Sequence, residues 1–106
     1  MKGIHMMNEV RIPFKARFCR PLLNGTKIFT SRTKVMGRPG DIFQAFGATF
    51  RIVKVYEAQL FDVAALWKEE GCTSREDFIE VWKSIHPHKG YHDNQYTQLH
   101  QFERVK

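Results

Sequence analysis

The sequence predicts a small α+β fold, a curled antiparallel sheet or barrel with helices packed outside it. Three observations predict it. Segments with strand-like and helix-like apolar spacing alternate in the order β-α-β-β-β-α-α-β. Two of the strands flank a turn at Gly47-Ala48 short enough for an antiparallel hairpin. The chain has 106 residues, 42% hydrophobic and including nine Phe, which suits one hydrophobic core.

The elements follow in order. Val10-Arg11-Ile12-Pro13-Phe14 alternates and reads as a short strand, confined by Pro13 to an edge or an end. Phe14, Phe18, Leu22 and Leu23 then recur at helical spacing, giving a helix from about Lys15 to Asn24 that stops at Gly25. Pro21 is awkward inside it, since proline removes a backbone hydrogen bond or kinks the helix. Lys27 to Arg32 is rich in β-branched and aromatic residues and reads as a strand. Lys34 to Gly40 is a loop, closed by Arg38-Pro39-Gly40-Asp41, whose central Pro-Gly suits a type II turn. Asp41 to Phe46 and Thr49 to Tyr56 form the hairpin strands. Leu60, Val63, Ala64 and Trp67 are the stripe of a helix ending at Gly71, and Phe78, Val81, Trp82 and Ile85 that of the next. Thr73-Ser74-Arg75-Glu76 reads as the capping box of the second helix, and Pro87 closes it. His86 to Gln95 is a polar loop, and Tyr96 to Val105 a closing strand.

Composition narrows the function. No segment approaches the ~20 apolar residues of a membrane span, and the N-terminus lacks an apolar signal core, so a cytoplasmic protein is expected. Met6 and Met7 are candidate start residues. Cys19 and Cys72 are expected as reduced thiols. Net charge is +6, unevenly spread: residues 1–56 carry eleven Lys/Arg against Glu9 and Asp41, residues 57–106 six against nine acids. A basic half suits phosphates or another polyanion, and equally a solubilising surface.

The stretch Gly25-x-Lys27-x-x-Thr30-x-Arg32 concentrates reactive groups after a helix end. A lysine serves as a base when burial lowers its pKa. A threonine attacks when a base takes its proton. An arginine forks onto a phosphate or a base edge. On a regular strand Thr30 and Arg32 share a face and Lys27 points to the other. One site holding both Lys27 and Thr30 therefore requires Lys27 in the turn, or a bulge; otherwise the segment is a strand with solvated basic ends. Glu69 and Glu70 end a helix, where carboxylates are mildly unfavourable. Histidines 86, 88 and 92 lack the second Cys/His pair of a zinc site, so no metal is expected, and no cofactor. Trp67 and Trp82 belong to apolar stripes. Tyr91, Tyr96 and Phe46 are the stacking candidates. No Walker loop, GxGxxG, HExxH or GxSxG occurs.

Leu23-x-Gly25-x-Lys27-x-x-Thr30-x-Arg32, followed by Gly40-Asp41 entering a strand, resembles the ASCH domain family of the PUA-like superfamily. Glu70-Gly71, Ile85-His86-Pro87 and Phe102 in the last strand extend the resemblance over Val10 to Val105. It implies a small PUA-like β-barrel with flanking helices and a single ASCH-like domain over residues 10–106; residues 1–9 are expected as a disordered or cloning-derived leader. It implies RNA or a modified nucleoside as partner; from the composition no membrane is expected, and no obligate protein partner. Small members of the family include amidohydrolases that deacetylate N4-acetylcytidine through a Lys, a Thr and a Glu. Those residues match Lys27, Thr30 and Glu70, with Glu69 one position away from the same alignment. Arg32, Lys34, Arg38 and Tyr91 are expected as the accompanying substrate or nucleic-acid contacts. Other members are reported as ribonucleases, and a module that holds RNA without chemistry fits the same residues. Ser31 and Thr33 flank Arg32 where apolar or acidic residues can stand in the family.

Overall fold

Four strands form one antiparallel sheet in the computed structural model, which describes residues 8–106. They are β1 (Phe29–Arg32), β2 (Ile42–Ala45), β3 (Ala48–Gln59) and β4 (Tyr96–Arg104), in the order β1-β4-β3-β2. The sheet curls into a half-barrel, with helices α1 (Cys19–Leu23), α2 (Leu60–Ala65) and α3 (Arg75–Ile85) around it. The α+β prediction holds. The leader expected over residues 1–9 falls mostly outside the described residues. Asn8 and Glu9 already meet the sheet: the Asn8 carbonyl accepts from Ile42 N at 2.9 Å, and Glu9 bridges Ile42.

The β2–β3 hairpin turns on Phe46 and Gly47, with φ of 50° and 82°. Two left-handed residues in a two-residue loop match the right-handed twist of the strands. The turn lies one residue earlier than the predicted Gly47-Ala48, because Ala48 is already paired with Ala45. The type II turn forms, with Asp41 N donating to Arg38 O at 3.0 Å and Gly40 at φ 97°. β3 runs three residues beyond Tyr56 because Glu57, Ala58 and Gln59 pair with Gln98, Thr97 and Tyr96. Its register shifts between Ile52 and Lys54, a bulge that bends the strand.

Phe43, Phe50 and Phe102, from three neighbouring strands, form the centre of the core. Phe43 stacks on Phe50 at 5.2 Å, and Phe102 meets both edge-on at 5.3 and 5.6 Å. Leu99 and His100 are adjacent on β4 and both fully buried. Neighbouring strand residues point to opposite faces, so β4 is covered on both sides.

Three predicted elements differ. The strand expected over Val10 to Phe14 reduces to the bridge at Glu9, since Pro13 has no N–H for a ladder and Ile12 turns into the core instead. The first helix is a 3-10 turn (Ala16–Phe18) leading into α1. Pro21 is then the third helical residue, where an N–H would have no helical partner, so no bond is lost. The next helix stops at Ala65 rather than Gly71, and Leu66 to Gly71 continue as hydrogen-bonded turns. The cap of α3 is Ser74, whose hydroxyl accepts from Asp77 N at 3.0 Å, while Asp77 accepts from Thr73 N at 2.9 Å. The side-chain cap therefore lies one residue later than predicted, and Asp77 reaches back past it to Thr73 N. Glu76 and Asp77 in the first turn also suit the helix dipole.

Candidate functional site

The chain after α1 places Lys27 ahead of β1 rather than on it. Lys27 N donates to Pro21 O at 3.0 Å, and Ile28 N and Phe29 N both donate to Glu69 O at 2.8 and 3.1 Å. The turns after α2 are thereby fastened to the start of β1, which brings the next residue, Glu70, against Lys27. Gly71 allows this approach. It lies at φ 89°, and a Cβ there would stand 2.9 Å from Lys27 Cδ and 3.1 Å from Phe18 Cδ1. Only glycine suits both the conformation and the space.

Lys27 and Glu70 are a buried ion pair, 3% and 4% exposed. Lys27 Nζ donates to Glu70 O at 2.5 Å and Phe29 O at 2.7 Å, and lies 3.5 Å from Glu70 Oε1. It also stands 4.5 Å over the Phe18 ring. The other carboxylate oxygen, Oε2, accepts from the Ser31 hydroxyl at 2.6 Å. Burial lowers the pKa of Lys27 and raises that of Glu70, against the attraction between them. The two carbonyls hold two N–H bonds of Lys27, and its charge lies 3.5 Å from Glu70 Oε1.

Thr30 is buried at 4% exposure, and its hydroxyl oxygen accepts from Arg32 Nε at 3.0 Å. Arg32 also donates to Pro13 O at 2.7 Å and lies 5.1 Å over the Phe14 ring, so its guanidinium is fixed in place. Behind β1, His100 Nε2 accepts from Met36 N at 2.9 Å. That leaves the ring proton on Nδ1, which faces Thr30 O at 3.3 Å and Gln98 O at 3.1 Å. Burial lowers the His100 pKa, so the ring is neutral.

Lys27, Thr30, Ser31, Arg32 and Glu70 line a cavity of about 480 Å³, with His100 behind β1. One wall is Lys27, Thr30, Ser31, Arg32 and Glu70; the other is the apolar face of α3, with Phe78, Val81, Trp82 and Ile85. Lys15, Lys34 and His86 also border it. A volume of this size with a few converging polar groups is typical of small-molecule sites. Cys72 borders it too, its thiol pushed up to about 11 by burial, and both cysteines are free.

Of the residues named from sequence, Lys27, Thr30, Arg32, Lys34 and Glu70 converge here. Glu70 supplies the side chain, while Glu69 contributes its carbonyl to β1. Arg38 stands at the type II turn and Tyr91 packs against the core, its hydroxyl pushed up to about 12 chiefly by burial; neither borders the cavity. Sequence reasoning missed Ser31 as a partner of Glu70, the buried His100, and the α3 face as a cavity wall.

No family model and no curated protein matches the sequence. Solved structures share its fold. An ASCH domain from Lactobacillus crispatus JV V101 superposes with a TM-score of 0.63 at 12% identity, over 92% of this chain and 79% of that one. The chain has the ASCH fold. Protein EF3133 from Enterococcus faecalis V583, a DUF984 protein, superposes with the same TM-score at 16% identity, over 99% of this chain and 79% of that one. Within the ASCH fold, the cavity lies against β1, an edge strand of the sheet, which lets residues from both of its faces reach the same space. Among the described residues no helix is long and apolar enough to cross a membrane.

Proposed function

We propose that this chain binds an RNA base or modified nucleoside in the cavity beside β1 and hydrolyses an acyl amide of the N4-acetylcytidine type. The observation that carries the reading is the Lys27–Glu70 pair on the cavity wall. A buried ion pair seldom adds stability, and ionisable groups perturbed by burial inside a cleft are characteristic of catalytic sites. The family resemblance assigns roles that this wall supports. A β1 hydroxyl, Thr30 by the resemblance, attacks the acyl carbon, and its proton passes to the Lys27–Glu70 pair. Glu70 returns a proton to the leaving amine as the C–N bond breaks, and water then hydrolyses the ester. Arg32 holds the polar edge of the ligand, Lys34 its anionic part, and the α3 face the flat apolar part.

The test is release of cytidine from N4-acetylcytidine, with Lys27→Ala and Thr30→Ala as controls; each is expected to lose about 100-fold or more in kcat/KM. A second reading, an RNA-binding module without chemistry, is favoured by Lys15 and Lys34 at the cavity and by the excess of Lys/Arg in the first half. It predicts RNA binding that weakens steeply with salt. Such binding without any turnover would sink the enzyme reading.

A further inference from the structure

The amidohydrolase reading leaves open which hydroxyl attacks, and on that reading the geometry separates the two candidates. A nucleophile is recognised by a base within about 2.6–3.2 Å of its oxygen, itself oriented by a third group. Ser31 meets the criterion: its hydroxyl donates to Glu70 Oε2 at 2.6 Å, and Glu70 Oε1 faces Lys27 Nζ at 3.5 Å. Thr30 is arranged differently. Its oxygen accepts from Arg32 Nε, which takes up one of its two lone pairs, and among the described residues no base accepts its proton as Glu70 accepts that of Ser31. Both hydroxyls border the cavity, and Ser31 is the more exposed of the two.

We propose that Ser31 is the attacking hydroxyl of this chain, with Glu70 as its base and Lys27 as the charge that orients Glu70. Ser31 Oγ forms a bond to the acyl carbon, and its proton passes to Glu70. The tetrahedral intermediate collapses as Glu70 gives that proton to the amide nitrogen, the C–N bond breaks, and the free amine leaves. Water then attacks the Ser31 ester, giving one proton to Glu70, and Ser31 recovers a proton as the carboxylic acid departs. Thr30, held by Arg32, keeps its own proton to donate to the oxyanion. The charged groups facing Glu70 are Lys27 and Arg32, with the Cys72 thiol beside them, and among the described residues no second carboxylate competes for the proton.

The test uses p-nitrophenyl acetate as an acyl donor that is independent of any nucleoside. The protein is mixed with it, quenched, and digested with trypsin, which releases Ile28 to Arg32 as one peptide holding both hydroxyls. Fragment ions assign the acetyl group. The expected result is acetyl on Ser31, absent in Ser31→Ala and still present on Ser31 in Thr30→Val. Alongside it, Ser31→Ala should lose about 100-fold or more in kcat/KM toward N4-acetylcytidine, and Ser31→Thr should recover part of that. Acetyl on Thr30, or undiminished turnover by Ser31→Ala, overturns the inference while leaving the amidohydrolase reading intact. Acetyl on Ser31 without turnover of the nucleoside upholds the inference and overturns that choice of substrate. No label together with no turnover overturns both.

Discussion

Replacing Lys27 with Met removes the ammonium but keeps most of its stem. The change leaves Glu70 buried without its counter-charge and takes the donor from the carbonyls of Phe29 and Glu70. Breaking a buried pair from one side costs about 3–5 kcal/mol. Burial already favours the protonated form of Glu70, and Ser31 still holds Oε2, so the cost should fall near ~3 kcal/mol, at the low end of that range. Removing both charges, as Lys27→Met with Glu70→Met, should cost less than the two single changes added together, by about 1–3 kcal/mol. Urea unfolding of the four proteins at neutral pH reads this directly. With a slope near ~2 kcal/mol/M, the Lys27→Met midpoint should fall by about 1.5 M. Additivity within about 0.5 kcal/mol would refute the claim that the two residues act as one unit.

The same pair has a pH signature. The ordinary Lys27 pKa is 10.5, and burial lowers it in the folded chain. Between the lowered value and 10.5 the unfolded chain holds a proton that the folded chain lacks, so stability rises with pH there. In Glu70→Gln the carboxylate no longer opposes burial, and that window widens downward. The stability gap between wild type and Glu70→Gln should therefore narrow as pH rises through the added part of the window, below the wild-type Lys27 value. A constant gap across that range would show that Lys27 does not titrate as a buried amine.

Three other expectations rest on single contacts. The His100 pKa lies below its ordinary 6.5, so its contribution is complete above that pH and is lost as pH falls through the lower folded value; His100→Gln should flatten the stability curve on the acid side, and a ring already charged at neutral pH by NMR would contradict it. Gly71→Ala meets both a left-handed φ and the Lys27 stem, whereas Gly25→Ala, at φ 85° with open space, meets only the first; thermal unfolding should show about 1 kcal/mol lost at Gly25 and clearly more at Gly71, and equal losses would deny the contact. Ser74→Ala should cost about 1 kcal/mol by chemical denaturation while Thr73→Ala stays within about 0.5, since only the Ser74 side chain caps α3; the reverse order would restore the earlier box.

Much of the fold was legible because its apolar periods are clean. The hairpin and α3 follow directly from alternation and from the stripe Phe78, Val81, Trp82 and Ile85. What failed was set by pairing across the chain. Glu57 to Gln59 look like a polar loop, yet β4 lies beside them and extends β3. The Trp67 stripe suggested a helix to Gly71, but Leu66 N and Gly71 N bond carbonyls three residues back and Cys72 N one five back, so the segment runs as irregular turns. Pro21 looked like a break because the helix start was placed too early; with α1 beginning at Cys19 it sits in the first turn.

The position of the site was more legible than its wiring. The spacing rule put Lys27 on the wrong face for Thr30 unless it lay in a turn, and the structure places it in that turn. The resemblance favours Glu70 over Glu69 because it aligns Glu70-Gly71, and the structure brings the Glu70 carboxylate to Lys27 while Gly71, lacking a Cβ, leaves room for the Lys27 stem. Ser31 had no comparable signal. On an interior strand its side chain would face away from Thr30 and Arg32, and only two of the three would reach one space. β1 is an edge strand, so the cavity wraps its open side and all three border it. Edge position belongs to topology, since β4 arrives beside β1 from the far end of the chain. That is why a serine read from sequence as a neighbour of Arg32 becomes, in the folded chain, the hydroxyl bonded to Glu70.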